Sequence, residues 1–238
     1  MEETLLSLIG QDILHFAGLA LIVTGIFCYF KMKAAHILLV GVILSMIAAP
    51  LAFQFEGSFA ANYFLGFFLV TTKEGSCFAF MNWFLFVAFG RLFGTVIRKS
   101  KDLDRFYSRL FWVACPVMVL YIFLTFVFGP LFLCKERWYY GVSLPEALGL
   151  LSIDMVLLSA FYFLLKKINL SGVRALITMS KNINSIYIIH WCILGFADAL
   201  ICYHLEYVVP YPAAYLIAVA LVFVSYWIAK WWRVVREK

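Results

Sequence analysis

Long apolar stretches alternate with short polar connections along this chain. Seven of them read as helices, at about Ile13–Phe30, Ala35–Phe53, Cys77–Ile97, Leu110–Leu133, Ala147–Leu165, Ile183–Cys202 and Ala213–Ala229. All are rich in Leu, Ile, Val, Phe and Ala. Each approaches the ~20 apolar residues that a helix needs to cross a bilayer. An eighth apolar segment, Gly57–Val70, is too short to span and suits a re-entrant or interfacial helix. The pattern predicts an all-α, polytopic integral membrane helix bundle, with residues 1–238 forming a single transmembrane helical domain.

Composition points the same way. Of the 238 residues, 65% are hydrophobic and 13% are charged, and the mean hydropathy is +0.96. Soluble domains carry roughly 25% charged residues. A soluble core of this length cannot hide so much apolar surface, whereas a lipid bilayer acts as its solvent. The chain shows no repeat array, low-complexity tract or separate soluble domain. Its start, Met1-Glu2-Glu3, is acidic and unlike the basic opening of a secretory signal.

The charges orient the helices. The formal net charge is +6, with pI near 9.0. With the N-terminus outside, the inner segments hold 15 of the 19 basic residues. These are Lys31 and Lys33, then Arg98 to Arg109, Lys166 to Lys181 and Lys230 to Lys238. Outer segments hold only Lys73, Lys135 and Arg137. Cytoplasmic loops collect Lys and Arg, so the pattern predicts an outside N-terminus and a cytoplasmic C-terminus. The net charge therefore reflects topology rather than nucleic-acid binding. Trp231 and Trp232, beside Lys230, read as an interfacial anchor. The short loops suit a bacterial inner membrane.

Ionisable groups at membrane depth are costly and mark candidate sites. Asp12 and His15, three residues apart, share a helix face at the start of the first span. Asp12 also suits an N-cap. Arg91 lies in Gly90-Arg-Leu-Phe-Gly94 of the third span, where two glycines four apart favour close approach of another helix. Its alternatives are snorkelling to the headgroups or binding an anionic group such as a donor phosphate. Asp154 lies within the fifth span. In the sixth, Tyr187, Trp191 and Asp198 form a stripe with His190 beside it. Hydrogen-bonded interhelical contact explains such a stripe as readily as chemistry does. Asn82 and Trp83 are candidates for the same interior.

The six cysteines lack metal-site spacing and no metal ligand set is expected. Cys134 and Cys202 fall outside in this topology, where a disulfide between them is an option. Soluble-enzyme motifs, channel filters and paired broken helices are not evident.

Three segments carry a family resemblance. They are Asp12-Ile-Leu-His-Phe-Ala-Gly-Leu-Ala20, Met81-Asn-Trp-Phe-Leu-Phe-Val-Ala-Phe-Gly-Arg-Leu-Phe-Gly94 and Met179-Ser-Lys-Asn-Ile-Asn-Ser-Ile-Tyr-Ile-Ile-His-Trp191. In order and content they resemble later spans of the transmembrane acyltransferase superfamily. That group includes the acyltransferase-three enzymes and relatives of heparan-α-glucosaminide N-acetyltransferase. The resemblance implies transfer from cytoplasmic acyl-CoA, as donor substrate rather than cofactor, to a hydroxyl or amine at the outer face, often on a carbohydrate. It implies a histidine as base or acyl carrier, a role imidazole suits near neutral pH. His190 and His15 are then the candidate catalytic histidines, with Asp12 or Asp198 orienting an imidazole. Arg91, Trp83, Tyr187 and Trp191 are the candidate substrate-binding residues. Family members open with further spans bearing an Asp-x-x-Arg-Gly pattern and the main catalytic histidine. The nearest string here, Asp102-Leu-Asp-Arg105-Phe106, is expected in a charged inner loop and carries no catalytic role. The expectation is a chain like the family's later two-thirds: truncated, inactive, or completed by a partner chain that supplies the missing spans. The alternative is a non-catalytic membrane component, namely a transporter, export partner or scaffold.

The charge pattern generates a first prediction. A green fluorescent protein fused after Lys238 should fluoresce in cells, and one fused after Arg137 should not; the opposite pattern would reverse the topology.

Overall fold

The computed structural model describes residues 13–51, 64–69, 78–128, 142–168, 174–205 and 210–236. The described residues are helical, without strands. The helices are α1 (Ile13–Tyr29), α2 (Ala34–Leu51), α3 (Phe80–Lys99), α4 (Leu103–Phe128), α5 (Leu144–Lys167), α6 (Arg174–Lys181), α7 (Ile183–Leu205) and α8 (Tyr211–Arg236). Among the described residues, four segments are long and apolar enough to cross a membrane: Phe80–Lys99, Leu103–Phe128, Leu144–Lys167 and Ala213–Trp232. Shorter apolar helices run over His15–Tyr29, Ala34–Ala48 and Ile183–Phe196. The protein is therefore a multi-pass membrane protein. Of the segment Gly57–Val70, residues 57–63 and Val70 lie outside the described residues.

Helix ends differ from the expected spans where polar residues close them. The fourth helix begins at Leu103 rather than Leu110, so the charged string Asp102–Phe106 is helix start and not loop. Asp102 is the reason. Its Oδ1 accepts the Arg105 N–H at 3.0 Å, which is an N-cap. The Ser100 N–H donates to the Ile97 carbonyl at 3.1 Å and ends α3. The third and fifth helices likewise extend to Lys99 and Lys167, because basic side chains continue a helix beyond the hydrocarbon at little cost.

The chain divides into two compact units, Met1–Phe163 and Leu164–Lys238. In the first, α3 is central. Ala20, Ile37, Phe80, Phe84 and Ala88 form one core, and Leu85, Val142 and Ala147 a second. A Cβ on Gly41 would meet the Ala88 Cβ and the Leu85 Cα at 3.1 Å, so α2 and α3 approach closely at a glycine. Lipid tails are as apolar as Leu, so such close packing, rather than escape from water, holds the helices together. Large apolar side chains also face outward, as suits lipid: Phe126, Val113 and Leu21 are 69–89% exposed.

Helices α4 and α5 run antiparallel. Tyr107 stacks on Tyr162, with centroids 4.1 Å apart. Further along, the Tyr121 ring lies where a Cβ on Gly149 would stand. Gly90 and Gly94 do not behave as expected. Nothing lies within 4 Å of their Cβ positions, so neither marks a helix contact among the described residues. The close approaches fall at Gly41 and Gly149 instead.

In the second unit, α7 and α8 pack as a pair. Ser225 and Ala229, four apart on α8, are fully or nearly buried, and their small side chains allow close approach. Lys230 Nζ lies 5.0 Å from the Trp227 ring centroid, a cation–π contact, while Trp231 and Trp232 stay exposed.

The α1–α2 turn closes with two reciprocal backbone bonds. The Met32 N–H donates to the Phe27 carbonyl and the Lys31 N–H to the Cys28 carbonyl, both at 2.9 Å. This is a Schellman cap, whose left-handed residue is Lys31, with φ 56°. Glycine takes that conformation without the Cβ penalty. Lys31→Gly should raise stability by about 0.5–1 kcal/mol, and Lys31→Val should lower it, read as the thermal unfolding midpoint in detergent. A lower midpoint for Lys31→Gly would contradict this account of the turn.

Candidate functional site

The N-terminal ends of α1, α3 and α5 carry one set of polar and capping groups of the first unit. At α3 the capping is done by backbone. Carbonyls of Phe67 and Phe68, in the short helical turn at residues 64–69, accept the N–H groups of Phe80 and Met81 at 2.7 and 3.0 Å. Free N–H groups at a helix start must be satisfied where water is scarce, and this turn supplies the acceptors. His15, in the first turn of α1, meets the Phe67 ring edge-on at 6.1 Å. Phe67 therefore links His15 to the start of α3.

Asn82 is 1% exposed. Its Nδ2 donates to the Val142 carbonyl at 3.1 Å, tying α3 to the residue before the α5 cap. Trp83 is half-buried and stacks on Phe86 at 5.2 Å, with Phe78 at 4.9 Å on it. At α5, Ser143 and Glu146 form a capping box. The Glu146 N–H donates to Ser143 Oγ at 3.4 Å, and the Glu146 carboxylate accepts the Ser143 N–H. Glu146 is 4% exposed, and its Oε2 and the Asn82 Oδ1 have no hydrogen-bond partner among the described residues. They flank opposite sides of the Val142–Ser143 peptide, since that peptide's carbonyl serves one and its N–H the other. Glu146 is a residue that sequence reasoning missed. Its signal was the string Ser143-Leu-Pro-Glu146, with the spacing of a capping box.

Arg91 lies on α3 with its side chain exposed. Thr95 Oγ1 donates to the Arg91 carbonyl at 2.9 Å. Asp154 is an exposed residue of α5. The other end of the α4–α5 pair carries a cluster that sequence reasoning missed. Tyr162 Oη donates to Asp104 Oδ1 at 2.6 Å, beside the Tyr107–Tyr162 stack. No spacing rule reveals it, because the partners are 58 residues apart.

In the second unit, α7 brings three candidates together. The rings of Tyr187 and His190 meet edge-on at 5.0 Å and those of Tyr187 and Trp191 at 6.3 Å, while His190 and Trp191 are tilted at 5.7 Å. His190 and Tyr187 are half-buried, and Trp191 is 50% exposed. Asp12 lies outside the described residues, as does Cys134, and the side chains of Asp198 and Cys202 are likewise not described. Among the described residues, no three His, Cys, Asp or Glu side chains cluster as a metal site.

These features define a helical membrane protein with aromatic-flanked histidines on two helices. Comparison with protein-family models, curated proteins and solved structures finds no match.

The buried contacts at the α5 start generate a prediction. Ser143→Ala should cost about 0.5–2 kcal/mol through the lost cap. Asn82→Ala should cost about 1–3 kcal/mol, because the Val142 carbonyl loses its donor. Unfolding midpoints of the purified variants measure both, and wild-type values would remove these bonds from the stabilising set.

Proposed function

We propose that this chain is a membrane-bound, acyltransferase-like protein of the transmembrane acyltransferase type. It would move an acyl group from cytoplasmic acyl-CoA to a carbohydrate or similar hydroxyl or amine acceptor outside the cytoplasm. The observation that carries this reading is His190 held between Tyr187 and Trp191 on α7. Aromatic neighbours restrict the imidazole's orientation. In the reaction, imidazole removes the acceptor proton and the oxygen or nitrogen attacks the thioester carbonyl. The carbon–sulfur bond breaks, and CoA departs as the thiol after taking the proton back. His15 is the second candidate base, and Asp12 and Asp198 are the candidate orienting carboxylates. Arg91 would meet a donor phosphate, and Trp83, Tyr187 and Trp191 would line the acceptor path.

The same reading takes the topology further. Seven spans result when the three shorter apolar helices join the four long ones. The N-terminus lies outside, the C-terminus lies in the cytoplasm, and Gly57–Val70 is a re-entrant or interfacial segment of a bacterial inner-membrane protein.

The second reading is a non-catalytic membrane component: a transporter, export partner or scaffold. It is favoured by the absence, among the described residues, of a carboxylate hydrogen-bonded to His190.

Proteoliposomes given radiolabelled acetyl-CoA and mixed carbohydrate acceptors distinguish the two. Transfer should occur and fall about 100-fold or more in His190→Ala. Full activity in that variant would remove His190 from the mechanism, and no acyl-CoA binding at all would favour the second reading.

A further inference from the structure

Helix α4 is amphipathic in an unusual sense, with a charged head and an apolar body on one face. At ~100° per residue, Arg109 lies about 40° from Arg105 around the helix. Trp112, Cys115, Pro116, Val119, Leu120 and Phe123 all fall within about 80° of Arg105. These six line a groove of about 500 Å³. Trp112 is 71% exposed and Phe123 58%. Pro116 contributes to the groove's form, because it has no N–H and its ring pushes against the Trp112 carbonyl one turn back.

The opposite face of α4 packs on α5 through Tyr107 and Tyr121, which lie about 160–200° from Arg105. Arg105 and Arg109 are exposed and point away from that contact, not into the bundle. The acids nearby are engaged elsewhere. Asp102 caps the helix through Arg105 N–H, and Asp104 accepts from Tyr162. Two cations thus stand above an apolar groove, Arg109 about one helical turn and Arg105 about two from its first residue; the acid on their side, Asp102, is engaged in capping the helix start.

We propose that this face of α4 is a binding site for an anionic phospholipid. Arg105 and Arg109 hold the phosphate, and one acyl chain lies along the groove from Trp112 to Phe123. Charge complementarity selects the headgroup and the apolar groove selects a chain. A soluble phosphate compound satisfies the arginines but leaves the groove empty. This inference is independent of the acyl-transfer reading.

Native mass spectrometry of the full chain in detergent tests it, with phosphatidylglycerol and phosphatidylcholine of identical chains as probes. Phosphatidylglycerol should be retained about tenfold better. R105Q/R109Q should abolish that preference, R105K/R109K should keep it, and Val119→Trp should reduce retention of both lipids. If R105Q/R109Q loses helicity, salt decides on the wild type: the preference must shrink as ionic strength rises, because exposed charges are screened. Equal retention of the two lipids would overturn the proposal. So would an unchanged preference in a folded R105Q/R109Q, unchanged retention in Val119→Trp, a salt-independent preference, or displacement of the lipid by free CoA.

Discussion

Every helix in a bilayer must find partners for the backbone groups at its two ends, and this protein is organised around that requirement. An unsatisfied N–H or C=O costs several kcal/mol in hydrocarbon, where water cannot help. The solutions differ from end to end. Helix α1 finishes in a Schellman cap at Lys31. Helix α3 begins on the carbonyls of Phe67 and Phe68. Helix α4 begins on Asp102 and α5 on the Ser143–Glu146 box. Each solution places polar groups at a fixed level along the first unit. Asn82 then joins two of those levels by reaching from α3 to the Val142 carbonyl.

That arrangement explains which parts of the fold are legible in the sequence. Apolar stretches locate the helices, because hydropathy measures the same transfer that places them in lipid. Boundaries are less legible, since a cap depends on which side chain meets which N–H. Asp102 is one example: its charged surroundings read as a loop until the carboxylate is seen on the Arg105 N–H. The capping box at Ser143 was legible as a pattern. The Tyr162–Asp104 bond was not, because only the register of two helices brings those residues together.

Helix contacts show the same division. Glycine pairs four apart mark close packing in many membrane helices, yet Gly90 and Gly94 face open space among the described residues. Gly41 and Gly149 are single glycines without a motif, and they make the tight approaches. Local spacing reports what a helix face permits, whereas the partner decides which face is used. The candidate histidines divide likewise. Tyr187, His190 and Trp191 are neighbours on one helix, so spacing alone places them together. The link from His15 through Phe67 to α3 requires the tertiary fold.

The two tyrosine contacts between α4 and α5 have a mechanical meaning. Tyr107 meets Tyr162 near one end, and Tyr121 meets Gly149 fourteen residues along α4. At ~1.5 Å per residue the two pins stand roughly 21 Å apart, a large share of the hydrocarbon thickness. A helix pair fastened at two such points cannot slide to shorten or lengthen itself. It behaves as a strut of fixed length, so a thinner or thicker membrane must be met by tilting the pair as a whole or by deforming the lipid around it.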